Sequence, residues 1–252
     1  MIKKKNLTLL LPIALLSCAA PAVYNAQNGQ VQMRPASTSL VNQGNQAFAQ
    51  YRAKHRVSTN SSARNRVYRV ASKLRPVVNL PGARWEFEIF DDNSANAFAL
   101  PGGKVGINTG LLRIAQTDGQ LAAALAHEMA HVTSNHAQTR LQNNQAIAIG
   151  GALLGAVLGG ENASQATRYA TGAGNLVFGK SFSRAQELQA DRIGTIFMAR
   201  AGYNPEDAVR LWQNMAARGG SGTPEFLSTH PVSTTRIKAL QDFLPQARKQ
   251  RR

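Results

Sequence analysis

Between residues 63 and 74 the apolar side chains Val67, Val70, Ala71 and Leu74 recur at steps of three and four, which predicts an amphipathic helix ended by Pro76. The run Trp85-Glu86-Phe87-Glu88-Ile89-Phe90 instead alternates apolar and polar until its last pair, the period of a half-buried strand. Asp91 to Ser94 supplies a turn. A second extended segment, Asn96 to Leu100, breaks at Pro101-Gly102-Gly103 and resumes from Lys104 to Ile107, and residues of that kind at a break belong to a sheet edge. Helical spacing returns from Thr109 to Ala115. It returns again from Asp118, read as an N-cap, through Leu121, Ala124, Leu125, Glu128 and His131. A further helix runs from Ser183 to Arg200 with Gly202 closing it, and Asn204-Pro205-Glu206-Asp207 opens another. The last covers about 234 to 244. The pattern predicts an α+β fold that is mainly helical, with a long buried helix beside a small antiparallel sheet. No internal repeat is present.

The ends of the chain read differently. Lys3, Lys4 and Lys5 followed by the apolar stretch Leu7 to Leu16 form an export leader too short to span a bilayer. The only cysteine, Cys18, ends that stretch in the context Leu15-Leu16-Ser17-Cys18-Ala19. This resembles the lipobox of bacterial lipoproteins and implies an acylated Cys18, anchored by several chains. Ala19, where an Asp would favour the inner membrane, points to the periplasmic side of the outer membrane. From Val23 to about Asn60 the chain is rich in Gln, Asn, Ser and Ala with few apolar anchors, as in a tether. The expected division is a leader over 1–17, Cys18 and a flexible tether over 18–60, a catalytic domain over 61–245 and a basic tail over 246–252. Ala146 to Gly160 contains only Ala, Ile, Leu, Val and Gly, and reads as a buried or lipid-touching helical hairpin rather than a span. The net charge of +16 ordinarily raises nucleic acid as a partner, but export removes it. Anionic lipid head groups or an acidic envelope polymer remain.

The chemistry centres on His127-Glu128-Met129-Ala130-His131. Residues four apart share a helix face, so both imidazoles can reach one cation while Glu128 projects beside them. Zinc hydrolysis needs two neutral nitrogen ligands, an open position for water and a carboxylate to take its proton. The small and apolar flank Leu121 to Ala126 buries this helix, and buried ionisable groups need a partner. A third ligand is required. His136 lies nine residues past His127, about 900° around a continued helix and so on the opposite face. A metzincin breaks that helix with a glycine where this chain has Ser134, so His136 is expected to act behind the ligands instead. Glu187 and Asp191 share a helical face, and beside a dication their proximity is stabilised rather than repulsive. Glu187 can ligate zinc while Asp191 accepts the outer N–H of a ligating histidine.

At these residues the chain resembles the gluzincin peptidases of the HtpX and CAAX-prenyl-protease type, within them the periplasmic lipoprotein branch. The resemblance runs in order from Ser94 to Leu240. It includes Asn96-Ala97-Phe98-Ala99-Leu100-Pro101-Gly102-Gly103, the His-Glu helix with His136 after it, Ser183-Arg184 with Glu187 and Ala190-Asp191, and Thr229-His230-Pro231 with Arg236. It implies a zincin-like fold and one Zn2+ per chain held by His127, His131 and Glu187, with Glu128 as the catalytic base and Asp191, His136 and Arg236 supporting them. It also implies an edge strand on which Asn96, Phe98, Ala99, Leu100, Gly102 and Gly103 pair with an extended substrate. His230 is expected to donate to the oxyanion or to occupy the open metal position reversibly. The function that follows is a zinc endopeptidase cleaving unfolded or misassembled envelope proteins. A chaperone-like assembly factor using the same fold is the alternative.

Overall fold

A computed structural model describes residues 24–25, 29–144, 181–218, 225–231 and 233–251. In chain order the elements are α1 (Thr38–Lys54), α2 (Ser61–Leu74), β1 (Glu86–Phe90), β2 (Ala97–Leu100), β3 (Lys104–Asn108), α3 (Thr109–Ile114), α4 (Asp118–Thr133), α5 (Arg184–Arg200), α6 (Glu206–Ala217), α7 (Glu225–Thr229) and α8 (Thr234–Arg248). A further helical stretch, 136–144, follows α4. The leader with Cys18 and the apolar stretch 146–160 lie outside the described residues.

The organising element is α4. Its sequence has almost no polar side, and every residue from Gly119 to Thr133 is buried. A helix apolar all round is stable only when covered on all faces, and α4 is packed by α5, α6, α2 and β2. The approach of α5 is set by Gly194, where a Cβ would stand 2.9 Å from the His127 backbone nitrogen and 3.0 Å from Ala126. An interior glycine lowers helix propensity; here it lets two backbones touch at the level of the first histidine.

The sheet has the order β1-β3-β2. It is mixed rather than antiparallel: β2 and β3 form the expected antiparallel pair, but β1 runs parallel to β3. The sequence pattern carried the alternation of β1 and said nothing of its direction. β2 is an edge strand, with Leu100↔Lys104 as its last pair before the glycine turn.

Three boundaries differ from the sequence expectation. Within the segment read as a tether, α1 is a seventeen-residue helix capped by Ser37 that buries Leu40, Gly44 and Phe48. Phe48 and Tyr51 join Phe90 and Phe98 in an aromatic cluster, and Gly44 brings α1 onto the Pro101 carbonyl, 2.2 Å from where a Cβ would be. The N-cap of α4 is Thr117, whose hydroxyl accepts from the Gln120 N–H, while Asp118 lies in the first turn and pairs with Arg66 and Arg69. The last helix runs through Pro245 to Arg248, because Phe243, Leu244 and Ala247 are buried and hold it past the proline.

Candidate metal centre

His127 and His131 stand one turn apart on α4, and Glu187 enters from the first turn of α5, which Ser183 and Gln186 cap reciprocally. The His127 Nε2 to His131 Nε2 separation is 3.1 Å. Glu187 Oε2 is 3.4 Å from His127 Nε2 and Oε1 is 3.6 Å from His131 Nε2. Tetrahedral zinc with bonds of about 2.0–2.2 Å requires ligand atoms about 3.3–3.6 Å apart. The two Glu187 distances match that spacing and the two imidazole nitrogens stand slightly closer, so the three side chains converge near the corners of such a tetrahedron. His230, just past α7, completes a buried group of four whose ligand atoms all lie within 4.8 Å of one another. Its Nδ1 is 2.9 Å from Glu187 Oε1 and 3.2 Å from His127 Nε2.

The donor chemistry fits a dication. Glu128, Glu187 and Asp191 are all buried, and among the described residues the guanidinium that meets them is that of Arg236. Arg236 meets Asp191 through two hydrogen bonds of 2.8 Å and approaches Glu187 Oε2 at 2.8 Å. Three carboxylates against one guanidinium leave two negative charges in a low-dielectric interior, which a divalent cation offsets.

The same balance governs protonation. Burial alone pushes His127 down, but the Asp191 and Glu187 carboxylates more than offset it and push it up to about 9. His131 is held well below the ordinary imidazole value by burial, and His136 is pushed down to about 4 by the same cause. Burial raises Glu128, a shift in the direction that suits a carboxyl able both to take up and to release a proton. Glu187 and Asp191 lie below the usual carboxylate range: burial raises each, and His230 for the first and Arg236 for the second overcome it.

Around these groups the chain places the remaining candidates. Asp191 Oδ1 lies 3.1 Å from His127 Nδ1, behind the ring. His136 does not lie across the helix, because α4 stops at Ser134 and Asn135 takes a positive φ of 53°. The chain folds back and brings His136 Nδ1 to 2.9 Å from His131 Nδ1. The absence of a glycine did not keep this helix from breaking. Glu128 Oε1 is buried without a hydrogen bond, 3.3 Å from His230 Nε2, and the Ala99 N–H donates to the Glu128 carboxylate.

The six edge-strand candidates separate. The Asn108 N–H donates to the Asn96 carbonyl, so by the antiparallel alternation Phe98 and Leu100 also spend their backbone groups on β3, while Ala97 and Ala99 turn theirs outward. The Phe98 ring packs over Gly106 and into the aromatic cluster, away from the metal donors. Gly102 and Gly103, both at positive φ, form the turn and accept from Arg84 and Glu86. Asn96 Oδ1 is buried without a hydrogen bond.

Four residues of the centre were not singled out in the sequence, and three of them carry no legible signal of their own. Gln189 meets His136. Trp212 lies edge-on to His127 with the Arg236 guanidinium over its ring. Phe182 stacks on His131. Gly194 has been described above; as a glycine inside a helix pattern it was the one that could have been suspected.

The family profile described as Peptidase family M48 matches residues 61–244. The chain is 35% identical over 187 residues to the mitochondrial metalloendopeptidase OMA1 of Schizosaccharomyces pombe, covering 73% of this chain and 54% of that protein. It is 36% identical over 181 residues to the protein of the same name in Saccharomyces cerevisiae, covering 67% and 49%. It is 31% identical over 173 residues to the beta-barrel assembly-enhancing protease of Escherichia coli K12, covering 65% and 35%. The match therefore spans about half of each yeast relative and about a third of the bacterial one.

Proposed function

The chain belongs to peptidase family M48, and from that premise we propose that it is a zinc-dependent endopeptidase of the bacterial cell envelope acting on unfolded or misassembled proteins. The observation that carries this reading is the convergence of His127, His131 and Glu187 at near-tetrahedral separations, with the buried Glu128 carboxylate beside them. Zinc bound by those three residues supplies a Lewis acid for the peptide carbonyl and acidifies the attacking water. Glu128 takes the proton of that water and returns it to the leaving amine. The Ala99 N–H on the Glu128 carboxylate orients it from the edge strand. The outward backbone groups of Ala97 and the outward carbonyl of Ala99 support strand addition by an extended substrate, which a folded protein does not offer.

His230 is assigned to the fourth position, since its Nδ1 lies among the ligand atoms. The same segment reaches the edge strand, where the Phe226 N–H donates to the Ala95 carbonyl just before β2. A side chain there occupies the space of substrate and water, so the segment has to withdraw before turnover. Replacing His230 with Ala is expected to raise cleavage of an unfolded protein several-fold; a loss of rate with zinc retained would favour its role as an oxyanion donor.

The envelope placement is supported by the leader, by Cys18 in its lipobox context and by the relative named for β-barrel assembly. It implies a lipid anchor on the periplasmic side of the outer membrane, with the basic surface available to anionic lipid. No helix among the described residues is long and apolar enough to cross a membrane. The test of the whole is Glu128→Gln: zinc content persists while casein cleavage falls by about 10²–10⁴. If that variant rescues a deletion strain as well as the wild type does, the chain is instead a non-proteolytic assembly factor.

A further inference from the structure

We propose that His136 and Gln189 form a positioning pair that fixes the tautomer of His131 and so keeps its Nε2 lone pair directed at the metal. This rests on the zinc-site reading above and extends it to a residue, Gln189, that neither the motif nor the donor set includes.

His131 faces the His127 and Glu187 donors through Nε2, at 3.1 and 3.6 Å. That nitrogen can hold a metal only if the ring proton sits on Nδ1. Nδ1 lies 2.9 Å from His136 Nδ1. Two imidazole nitrogens at that distance share one proton, so when His131 Nδ1–H donates, His136 Nδ1 accepts. A neutral His136 then carries its own proton on Nε2, which needs an acceptor. Gln189 Oε1 is 2.7 Å away. Only in the direction Nδ1–H···Nδ1 and Nε2–H···Oε1 does the chain leave the His131 Nε2 lone pair free for a metal. Reversed, with an amide N–H donating to His136, it would put the proton of His131 on Nε2 and abolish the ligand.

The fold is built to hold this contact. On a continued helix, imidazoles five residues apart would diverge by about 140°; the break at Asn135, with its φ of 53°, turns His136 back so that the two Nδ1 atoms meet. The Gln186 side chain donates to the His136 carbonyl from α5, tying the returned chain to the helix that also carries Gln189 and Glu187. Phe182 stacks on the His131 ring with centroids 4.0 Å apart, which limits the ring's rotation. His127 is backed by a carboxylate, Asp191, at 3.1 Å, which can only accept. His131 has instead an imidazole and an amide, whose direction the tertiary contacts must choose.

The test measures zinc affinity of the full chain by competition with a chromophoric chelator, for wild type, Gln189→Leu, Gln189→Glu and His136→Phe. Outer partners of zinc histidines typically contribute 10–100-fold in affinity, so Gln189→Leu and His136→Phe are expected to bind about 10–100-fold more weakly. Gln189→Glu, which can only accept, should bind at least as tightly as wild type. In the metal-free full chain, nitrogen NMR of labelled histidine should find the His131 proton on Nδ1, and Gln189→Leu should shift it toward a mixture. Gln189 is only half-buried on α5, so its variants report even if His136→Phe fails to fold. Wild-type zinc binding together with equal affinity in Gln189→Leu overturns the pair alone. A wild-type chain that takes up no zinc overturns the metallopeptidase reading and the pair with it.

Discussion

His127 and His131 sit one turn apart on the same helix and face the same point, yet they are held from behind by opposite means. Behind His127 is a charged layer: Asp191 lies 3.1 Å from the ring and is itself gripped by Arg236 through two bonds of 2.8 Å. Behind His131 is a neutral chain, His136 and then Gln189. A carboxylate raises the basicity of the ring it accepts from, whereas a neutral acceptor fixes direction with little effect on charge. The difference shows in the protonation of the two rings. Burial pushes both down, but only His127 has carboxylates enough to reverse it, to about 9, while His131 stays well below its ordinary value. One arm of the centre competes with protons for its metal and the other does not.

The largest effect is expected from Asp191→Ala. It leaves the Arg236 guanidinium buried without its bidentate partner, and removing one member of such a pair costs about 3–5 kcal/mol. Thermal unfolding should therefore drop by many degrees in addition to the loss of zinc affinity. Gln189→Leu should weaken zinc binding with unfolding shifted by no more than about 1 kcal/mol, the net worth of one hydrogen bond. Equal losses of stability in the two variants would show that the arms are not differently built.

A second test uses pH on the metal-free chain. The folded pKa of His127 is raised, so its contribution to stability is complete below the unfolded value of 6.5 and is lost as pH rises to about 9, a loss of up to ~3 kcal/mol. His136, pushed down to about 4, contributes in the opposite sense: its stability is complete above 6.5 and is lost as pH falls to about 4, again up to ~3 kcal/mol. The lowered Glu187 and Asp191 add to the acid loss, and the raised Glu128 opposes it. The melting temperature of the metal-free protein should therefore fall from pH 6.5 to 9, and zinc should abolish that fall by replacing the proton on His127. A flat alkaline limb without metal would remove the charge difference between the arms.

Gly194→Ala, expected to cost less than Asp191→Ala, acts on both arms at once. A Cβ at 2.9 Å from the His127 backbone must displace α5 from α4, and overpacking of that size typically costs about 1–3 kcal/mol. Zinc affinity should fall because Glu187 and Asp191 move together. Gly194→Ala with unchanged affinity would mean that α5 yields without moving its carboxylates, and chelator competition beside a melting curve decides it.

Much of this was legible before any fold was known. The spacing of His127 and His131 placed two imidazoles on one face, because helix geometry is local. Glu187 and Asp191 could be read as a pair for the same reason. The helix α1 was not legible: its buried stripe of Leu40, Gly44 and Phe48, with Tyr51 half-buried beside it, includes a glycine, and its other positions are mostly Gln, Asn and Ala, so the hydrophobic period was too weak to see. The return of His136 was missed because Asn135, not glycine, adopts the left-handed turn. How the six edge-strand candidates divide between inward and outward backbone groups was not legible for a different reason. Which strand residues spend their backbone groups inward depends on register with β3, and register is a pairing property that one strand does not contain.

The sequence by itself determined the elements and the chemistry of their side chains: a buried apolar helix bearing His127, Glu128 and His131, and a capped helix bearing Glu187 and Asp191. These follow from periods and caps that span a few residues. Only the tertiary structure decided that Glu187 reaches both histidines, that His230 joins them from 103 residues beyond His127, and that Gln189 stands behind His136. Such contacts depend on the crossing of α4 and α5 at Gly194 and on a turn in which a polar residue is held at positive φ. Both are settled by close packing between segments distant in the chain, where a shift of an ångström makes or breaks a hydrogen bond.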